Sequence, residues 1–475
     1  MTKYFTYSIF LCFSLLSNLS IGQTQIEIIN ADEISFNKKI SEHRQLLLGN
    51  VRTKHEGRYL NCDSAYYYAT ENKIEAFSNI HIWQGDTLNL KGNYLLYHGN
   101  HALAEIHQNV RFNHKNMKLL TEQLNYNFAT NEGFFDTKAS ITNEEKSLWS
   151  NKGVYYSSIE KFDFFGDVLI IEGEEIIKAD TLYYWLDSEF ASFRSNGEIE
   201  NSDIKILAQE GWIDQIAGNA FLSDRIKITQ NKDSYTLYAD TCIITDQMKH
   251  SLSYGNSLLN FPFNDDTLYL TADTLINYQT TASTIVKAYK DVNFKSTTIT
   301  GQSDSLSFNT QSNLIYLNQE PVLWLEEFQL TADTISLFLD SNKLEKVYLN
   351  KNAFISSELD SISFNQISGI NMLANFKEND LHSINVMGNG ESIYYIQDDV
   401  TDEILGLNKI ICSNMNIRID DRALKNIKFL QKPDATLFPI AEIKETLRWL
   451  KHYNNRNKLA VLNKIETKTQ VHKGF

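Results

Sequence analysis

Five histidines crowd one stretch of this 475-residue chain: His81, His98, His101, His107 and His114. Imidazoles at that density can hold a transition metal when a thiolate or carboxylate set completes the sphere. No such set stands nearby. His98-Gly-Asn-His101 is built from turn-forming residues, so these side chains read as solvated turn positions. The carboxylate pairs Asp265-Asp266 and Asp420-Asp421 also have turn-like surroundings and read as solubility, not as acid–base machinery. An aspartate recurs along the chain, but the Asp-x-Asp-Gly spacing of a calcium loop is missing. Hydrogen bonding where a strand begins is its expected task. Cys62, Cys242 and Cys412 lie too far apart for a zinc site and read as small core fillers. One long-range disulfide stays open. There is no nucleophile elbow, P-loop or dinucleotide fingerprint. The residues point to no enzyme, no metal and no cofactor.

The recurring aspartate belongs to a longer pattern. KADTLYYWLD begins at Lys178, YADTCIITD at Tyr238, TADTLINYQ at Thr271 and TADTISLFLD at Thr331. The Asp-Ser/Thr-apolar step occurs at Asp63, Asp180, Asp240, Asp273, Asp304, Asp333 and Asp360, with weaker copies at Asn93, Glu122, Lys152 and Glu210. The period is about 30 residues. A second step lies between the copies, as in Gly49-Asn-Val51, Asn109-Val-Arg-Phe112, Asp167-Val-Leu-Ile170, Asp291-Val-Asn-Phe294 and Pro321-Val-Leu-Trp324. Polar clusters rich in turn formers recur about every 14 residues. Two strands and two turns per repeat imply antiparallel up-and-down pairing.

Successive side chains of a strand point to opposite faces. Counted from the aspartate, the second and fourth following places are apolar, as in Leu182 and Tyr184, or Leu306 and Phe308. The first and third are polar, as in Ser305 and Ser307. One face is oily and the other wet. A single repeat cannot bury its apolar side alone, whereas stacked repeats can.

Composition agrees. The chain is 42% hydrophobic with only four prolines, so it can bury a large apolar surface. Its formal charge of −15 argues against nucleic acid as a partner. Residues 1–22 read as a secretory signal: Lys3, an apolar run from Tyr7 to Leu16, then Ser20-Ile-Gly22. The run is shorter than the ~20 residues of a membrane span, and Cys12 within it lacks a lipobox. Residues 23–390 form the repetitive β region, 391–439 hold divergent final strands, and 440–475 are expected to be an amphipathic helix and basic tail.

The A-D-T-L-x-Y step alternating with G-N-V-x-F resembles the OstA-like family of lipopolysaccharide-transport proteins. Its members include the periplasmic bridge protein and the amino-terminal domain of the outer-membrane translocon. The resemblance covers about residues 25 to 440. It implies an all-β, elongated β-jellyroll, a V-shaped stack of antiparallel strands whose interior shields the acyl chains of lipid A. It also implies a periplasmic location with association at the outer membrane, and lipopolysaccharide or lipooligosaccharide as cargo. Other transport proteins would join by edge-strand pairing. Carried to this sequence, the lining would be Leu95, Tyr97, Val110, Phe112, Leu124, Tyr126, Leu182, Tyr184 and Leu275. Val292, Phe294, Leu306, Phe308, Val322, Trp324, Ile335, Leu337, Ile362 and Phe364 would complete it. The chain is much longer than the small bridge proteins. About 35 residues follow Pro439, too few for a membrane barrel, so a pore is not expected.

Pro439 opens a helical pattern through Ile440, Ile443, Leu447 and Leu450. From Lys444 on, eight Lys or Arg face two Glu. This end is expected to cap the sheet or to touch a partner or an anionic membrane surface, with a mobile tail from Asn454. Two other readings compete with transport: a structural or adhesive β-solenoid with a filled core, and a carbohydrate-active β-helix enzyme. The second lacks the focused acid cluster it needs.

Overall fold

The computed structural model describes residues 24–36, 44–230, 235–247, 249–263, 266–280, 283–341, 343–377, 380–398, 400–401, 403–420 and 423–472. The expected signal, Asp265 and Asp421 lie outside them. The chain divides into two compact units. One holds residues up to Ile141 with Tyr156–Ser158; the other holds Thr142–Tyr155 and everything from Ile159.

The first unit is an antiparallel meander. Glu27–Asn30 and Glu33–Phe36 both pair with Arg44–His55. Arg58–Tyr68, Lys73–Gln84, Leu88–His98, Leu103–His114 and Met117–Asn127 then follow, each paired with the one before. The first tight link is Glu56-Gly57, both with positive φ (46° and 78°). That is the pattern of a turn whose twist matches its strands.

The second unit repeats the scheme. Lys146–Ser150 pairs with Lys161–Glu172, and an unbroken antiparallel series runs through Glu175–Trp185, Phe190–Glu200 and Ile204–Asp214. It continues through Asn219–Gln230, Tyr235–Thr245, His250–Phe263, Asp266–Gln279, Thr284–Lys295 and Ile299–Asn309. The ladder then splits into short strands and rejoins in Lys343–Asp360. Asp380–Gln397 runs straight through the boundary expected at residue 390. The last long strand, Ile404–Asp420, carries Ala423–Leu430 and Asp434–Pro439 on its far side.

At Asp63, Asp180, Asp240, Asp273 and Asp304 the repeated aspartate sits mid-strand, at a corner, and not where a strand begins, whereas Asp333 directly precedes the strand Thr334–Asp340. In Glu175–Trp185, Ile177 and Ala179 are buried, Asp180 and Thr181 both face out, and Leu182 and Tyr184 are buried again. The inward phase therefore slips by one residue at Asp-Thr. On the paired strand Phe190–Glu200, Arg194, Ser195 and Asn196 all face out, and Ser195 and Asn196 have φ of 61° and 53°. The register shifts here on both strands. Such a bulge bends the pair sharply, so each strand has two arms with the core between them. Positive φ costs a non-glycine residue roughly 1 kcal/mol. A hydrogen bond offsets it: Asn196 donates to Asp180 Oδ2 over 2.6 Å. The same bond joins Asn79 to Asp63 (2.8 Å), Asn256 to Asp240 (2.8 Å) and Asn352 to Asp333 (2.9 Å). The two sequence steps are thus the two halves of one corner.

At one corner the core leaves no room for a side chain. The Phe193 ring lies over Gly197 and Gly211. A Cβ on Gly211 would meet the Phe221 carbonyl oxygen at 2.6 Å and the Phe193 ring at 2.8 Å. Gly211→Ala is expected to cost about 1–3 kcal/mol by overpacking, read as a lower denaturant midpoint with unchanged slope.

The carboxy-terminal end departs from expectation. Ile440–Glu442 and Glu445–Leu447 are single 3-10 turns, and the α-helix, α1, is Lys458–Val471, within the tail expected to be mobile. The earlier stretch need not close its own backbone hydrogen bonds, because sheet side chains take them. Gln366 Nε2 donates to the Arg448 carbonyl (2.6 Å) and its Oε1 accepts from the Leu450 amide (2.9 Å). Gln329 does the same for Asn454 (2.7 Å) and Arg456 (2.8 Å). Asn457 caps α1 by accepting from the Ala460 amide. Val461 and Ile465, one turn apart, are its buried face. The whole segment is a strap across the outer side of the second unit.

Candidate functional site

The residues expected to line the interior occupy three kinds of place. Leu95, Tyr97, Val110, Phe112, Leu124 and Tyr126 of the first unit are all buried. They are packed together: Phe112 and Tyr126 rings lie 5.1 Å apart, Tyr126 and Phe128 4.8 Å. Across the mouth of this unit, His55 Nδ1 and Tyr97 Oη are 2.6 Å apart. Burial pushes the Tyr97 hydroxyl up to about 12, so it is a neutral partner at any ordinary pH.

In the second unit Leu182, Tyr184, Leu275, Val292, Phe294, Leu306, Phe308, Ile335 and Leu337 are also buried in the inward register. The opening stretch is filled by aromatic rings, with Tyr155 and Phe162 4.4 Å apart and Phe162 and Phe164 4.8 Å. Lys146 closes the mouth above them. Its ammonium is 3.0 Å from Glu172 on its own arm and 2.9 Å from Glu189 on the other, and it donates to Tyr184 Oη over 3.1 Å. Burial opposes its charge, but Glu189, Tyr184 and Glu172 together hold it above the usual lysine range.

Val322, Trp324, Ile362 and Phe364 do not face the interior. At the other corners the inward phase restarts right after the two positive-φ residues, as at Val110 after Gln108 and Asn109. At Gln319 and Glu320 that next residue is Pro321, so Leu323 and Leu325 point inward. Leu323 pairs with Gly301 under the Phe294 ring, whereas Trp324 pairs with Thr300. Val322 and Trp324 are buried outside, against Val461 and Ile465 of α1. Asp360 is not a corner aspartate. It caps a hairpin, accepting from the Ile362 and Ser363 amides (2.9 and 2.7 Å). Ile362 in that turn is 57% exposed. Phe364 lies under the strap, its ring 5.4 Å from Tyr453 and 5.8 Å from Trp449.

Open volume occurs where the two arms of the second unit part. A cavity of about 400 Å³ is walled by Leu237, Leu259, Phe261, Leu275, Val286 and Phe308. A neighbour of about 350 Å³ shares Tyr235, Leu237, Ser251 and Asn277 with it and adds Ile199, Ile206, Ile213, Ile228 and Ile244. Each has the volume of a small-molecule pocket. Asn277 donates to Tyr235 Oη across the mouth (3.2 Å). Three buried amide oxygens here have no hydrogen-bond partner among the described residues: Gln215 Oε1, Gln230 Oε1 and Asn277 Oδ1. Unsatisfied acceptors at an apolar cleft call for a donor on a guest or a water. Of the expected lining, only Leu275 and Phe308 wall these cavities. Leu259 and Phe261 follow the Gly255-Asn256 corner, whereas Leu237 and Val286 were missed because they precede theirs, as Leu237 precedes Asp240. A count continued backwards across the slip in phase finds them.

Cys62, Cys242 and Cys412 are buried and free, with burial pushing Cys62 up to about 12 and Cys242 up to about 11. His98 sits 3.5 Å from Glu105, and His81 3.0 Å from the Asn89 side chain. No group of three or more potential metal ligands occurs among the described residues.

Two family models match. Residues 23–180 match the OstA-like protein family, and residues 205–343 match the family described as LptA/(LptD N-terminal domain) LPS transport protein. The chain belongs to the OstA/LptA-like lipopolysaccharide-transport family. Among solved structures, LptH, described as the LptA homologous periplasmic component of the lipopolysaccharide transport device of Pseudomonas aeruginosa, is similar at 14% identity. That likeness has a TM-score of 0.23 and covers 30% of this chain and 95% of that one. No curated protein matches the chain. In this OstA/LptA-like chain, the first cavity's six apolar wall residues all fall within the LptA-type range. Among the described residues no helix is long and apolar enough to cross a membrane.

Proposed function

We propose that this OstA/LptA-like protein is a non-enzymatic bridge component that carries lipopolysaccharide or lipooligosaccharide through the periplasm, its acyl chains held between the two arms. The observation that carries the reading is the apolar cleft walled by Leu237, Leu259, Phe261, Leu275, Val286 and Phe308. Each methylene kept from water there is worth ~0.8 kcal/mol, so the cleft lowers the barrier to crossing water without any reaction. The unpartnered amide oxygens at the mouth suit the hydroxyl and amide donors where acyl chains join a sugar. Other transport proteins would join at the unpaired edges: Glu27–Asn30 and Glu33–Phe36 at one end, Ala423–Leu430 and Asp434–Pro439 at the other. The basic tail mostly contacts the chain itself. Lys464 meets Asp291 at 2.5 Å and Lys468 donates to the Ala272 carbonyl, so these cations are held against the second unit.

A filled structural ladder is the second reading, and the packed aromatic interior of the first unit favours it. Photo-crosslinking in cells separates the two. A photoreactive residue at Leu275 or Phe308 is expected to capture lipopolysaccharide, and one at Ile362 is not. If 275 and 308 capture none while an inward position in another pathway protein does, the transport reading fails.

A further inference from the structure

On a chain of formal charge −15, one outward face of the six meander strands of the first unit holds no acid, Glu27 of the neighbouring strand standing opposite Lys54 at its border. Two rows cross its six meander strands there. One reads Arg52, Asn61, His81, Lys91, Arg111, Leu120; the next reads Lys54, Tyr59, Trp83, Asn89, Asn113, Lys118. None of these side chains is buried. Arg52, Lys54, Lys91, Arg111 and Lys118 have no carboxylate partner among the described residues. Lys178 and Lys205 on the second unit are placed differently: both meet Glu198, and Lys205 also meets Glu200. The nearest acids in sequence border the face and are engaged elsewhere, Asp63 by Asn79, Glu56 by Arg58 and Glu122 by the Asn109 amide.

The rows also hold a flat aromatic surface. Tyr59 and Trp83 stack at 5.3 Å and 17°, with His81 4.9 Å from Trp83. The Arg52 guanidinium lies 5.2 Å from the Tyr59 ring centre and 5.5 Å from that of Trp83. Stacked rings offer a platform to sugar rings, asparagines bond hydroxyls, and arginines grip phosphate in a fork. The face has little to push into a bilayer, since Leu120 is its only aliphatic side chain.

We propose that this face binds the phosphorylated sugar part of the cargo, outside the apolar interior. The choice of glycan rests on the transport reading; the recognition of a sugar phosphate rests on the face itself. The test uses the full mature chain and a deacylated, phosphorylated core oligosaccharide from lipopolysaccharide. The pair Arg52→Ala and Arg111→Ala is expected to weaken binding at least about tenfold, since each removes a charge-assisted bond. Phosphatase treatment of the oligosaccharide is expected to do the same, and Lys178→Ala to change nothing. A native circular-dichroism spectrum keeps misfolding from imitating the result. The proposal is overturned if the paired variant binds as the parent does, or if the dephosphorylated sugar binds equally. Binding to phosphatidylglycerol vesicles without binding to the oligosaccharide also overturns it. Capture at Phe308 is scored separately, so either result can fail while the other stands.

Discussion

Replacing Gln329 and Gln366 together by leucine is expected to free the carboxy-terminal strap and to destabilise the second unit by about 4 kcal/mol. Both glutamines are buried. Each donates to one strap carbonyl and accepts from one strap amide, over 2.6–2.9 Å. Leucine would leave four backbone groups without partners, at roughly 1–3 kcal/mol each where water cannot replace the bond. The apolar cluster of Phe354, Ile393, Tyr395 and Leu407, which Leu450 of the strap completes, would then be uncovered. Amide hydrogen exchange across residues 448–471 is the direct readout. Protection should fall there first, ahead of the ladder. Unchanged protection in the paired variant would mean that apolar contact alone holds the strap.

Lys146→Ala is expected to cost about 2 kcal/mol and to loosen the mouth of the second unit. Removing one partner of a fully buried ion pair costs ~3–5 kcal/mol, but Glu172 and Glu189 are each about one-third exposed, so water takes up part of the loss. Lys146→Met keeps the packing and should recover some of it. The pH dependence has a definite sign. The folded lysine is held above its ordinary value, so its contribution is complete below the unfolded pKa of ~10.4. It is lost as pH climbs past that value. The parent should lose part of its advantage over Lys146→Met in strong alkali and none between pH 6 and 9.

The ladder was legible in the sequence because its signal is repeated. Alternation after Asp180 or Asp304 places Leu182, Tyr184, Leu306 and Phe308 inward, and they are inward. The corner was not legible as a corner. A slip of one residue looks like noise in a single strand, so the positions before each aspartate went uncounted. The same slip misplaced Val322 and Trp324, where Pro321 takes the inward place. Ile362 failed for a different reason: Asp360 repeats the motif's letters at a hairpin, where the side chain caps amides. The strap defeated periodicity because its partners are two side-chain amides over 80 residues away in sequence. Where the interior is open and where it is packed depends on how arms part in three dimensions. No local pattern carries that.

The corner has a consequence for what the protein can vary. Its angle is set by backbone handedness and by an aspartate–asparagine clip on the solvent side, away from the interior. Architecture and upholstery are therefore separately specified. A wall residue such as Val286 or Phe308 can be exchanged for one of another bulk while the hinge of the V stays as it is. Under the proposed transport function, the scaffold would be refitted to guests with longer or fewer tails by altering contents alone, strand by strand.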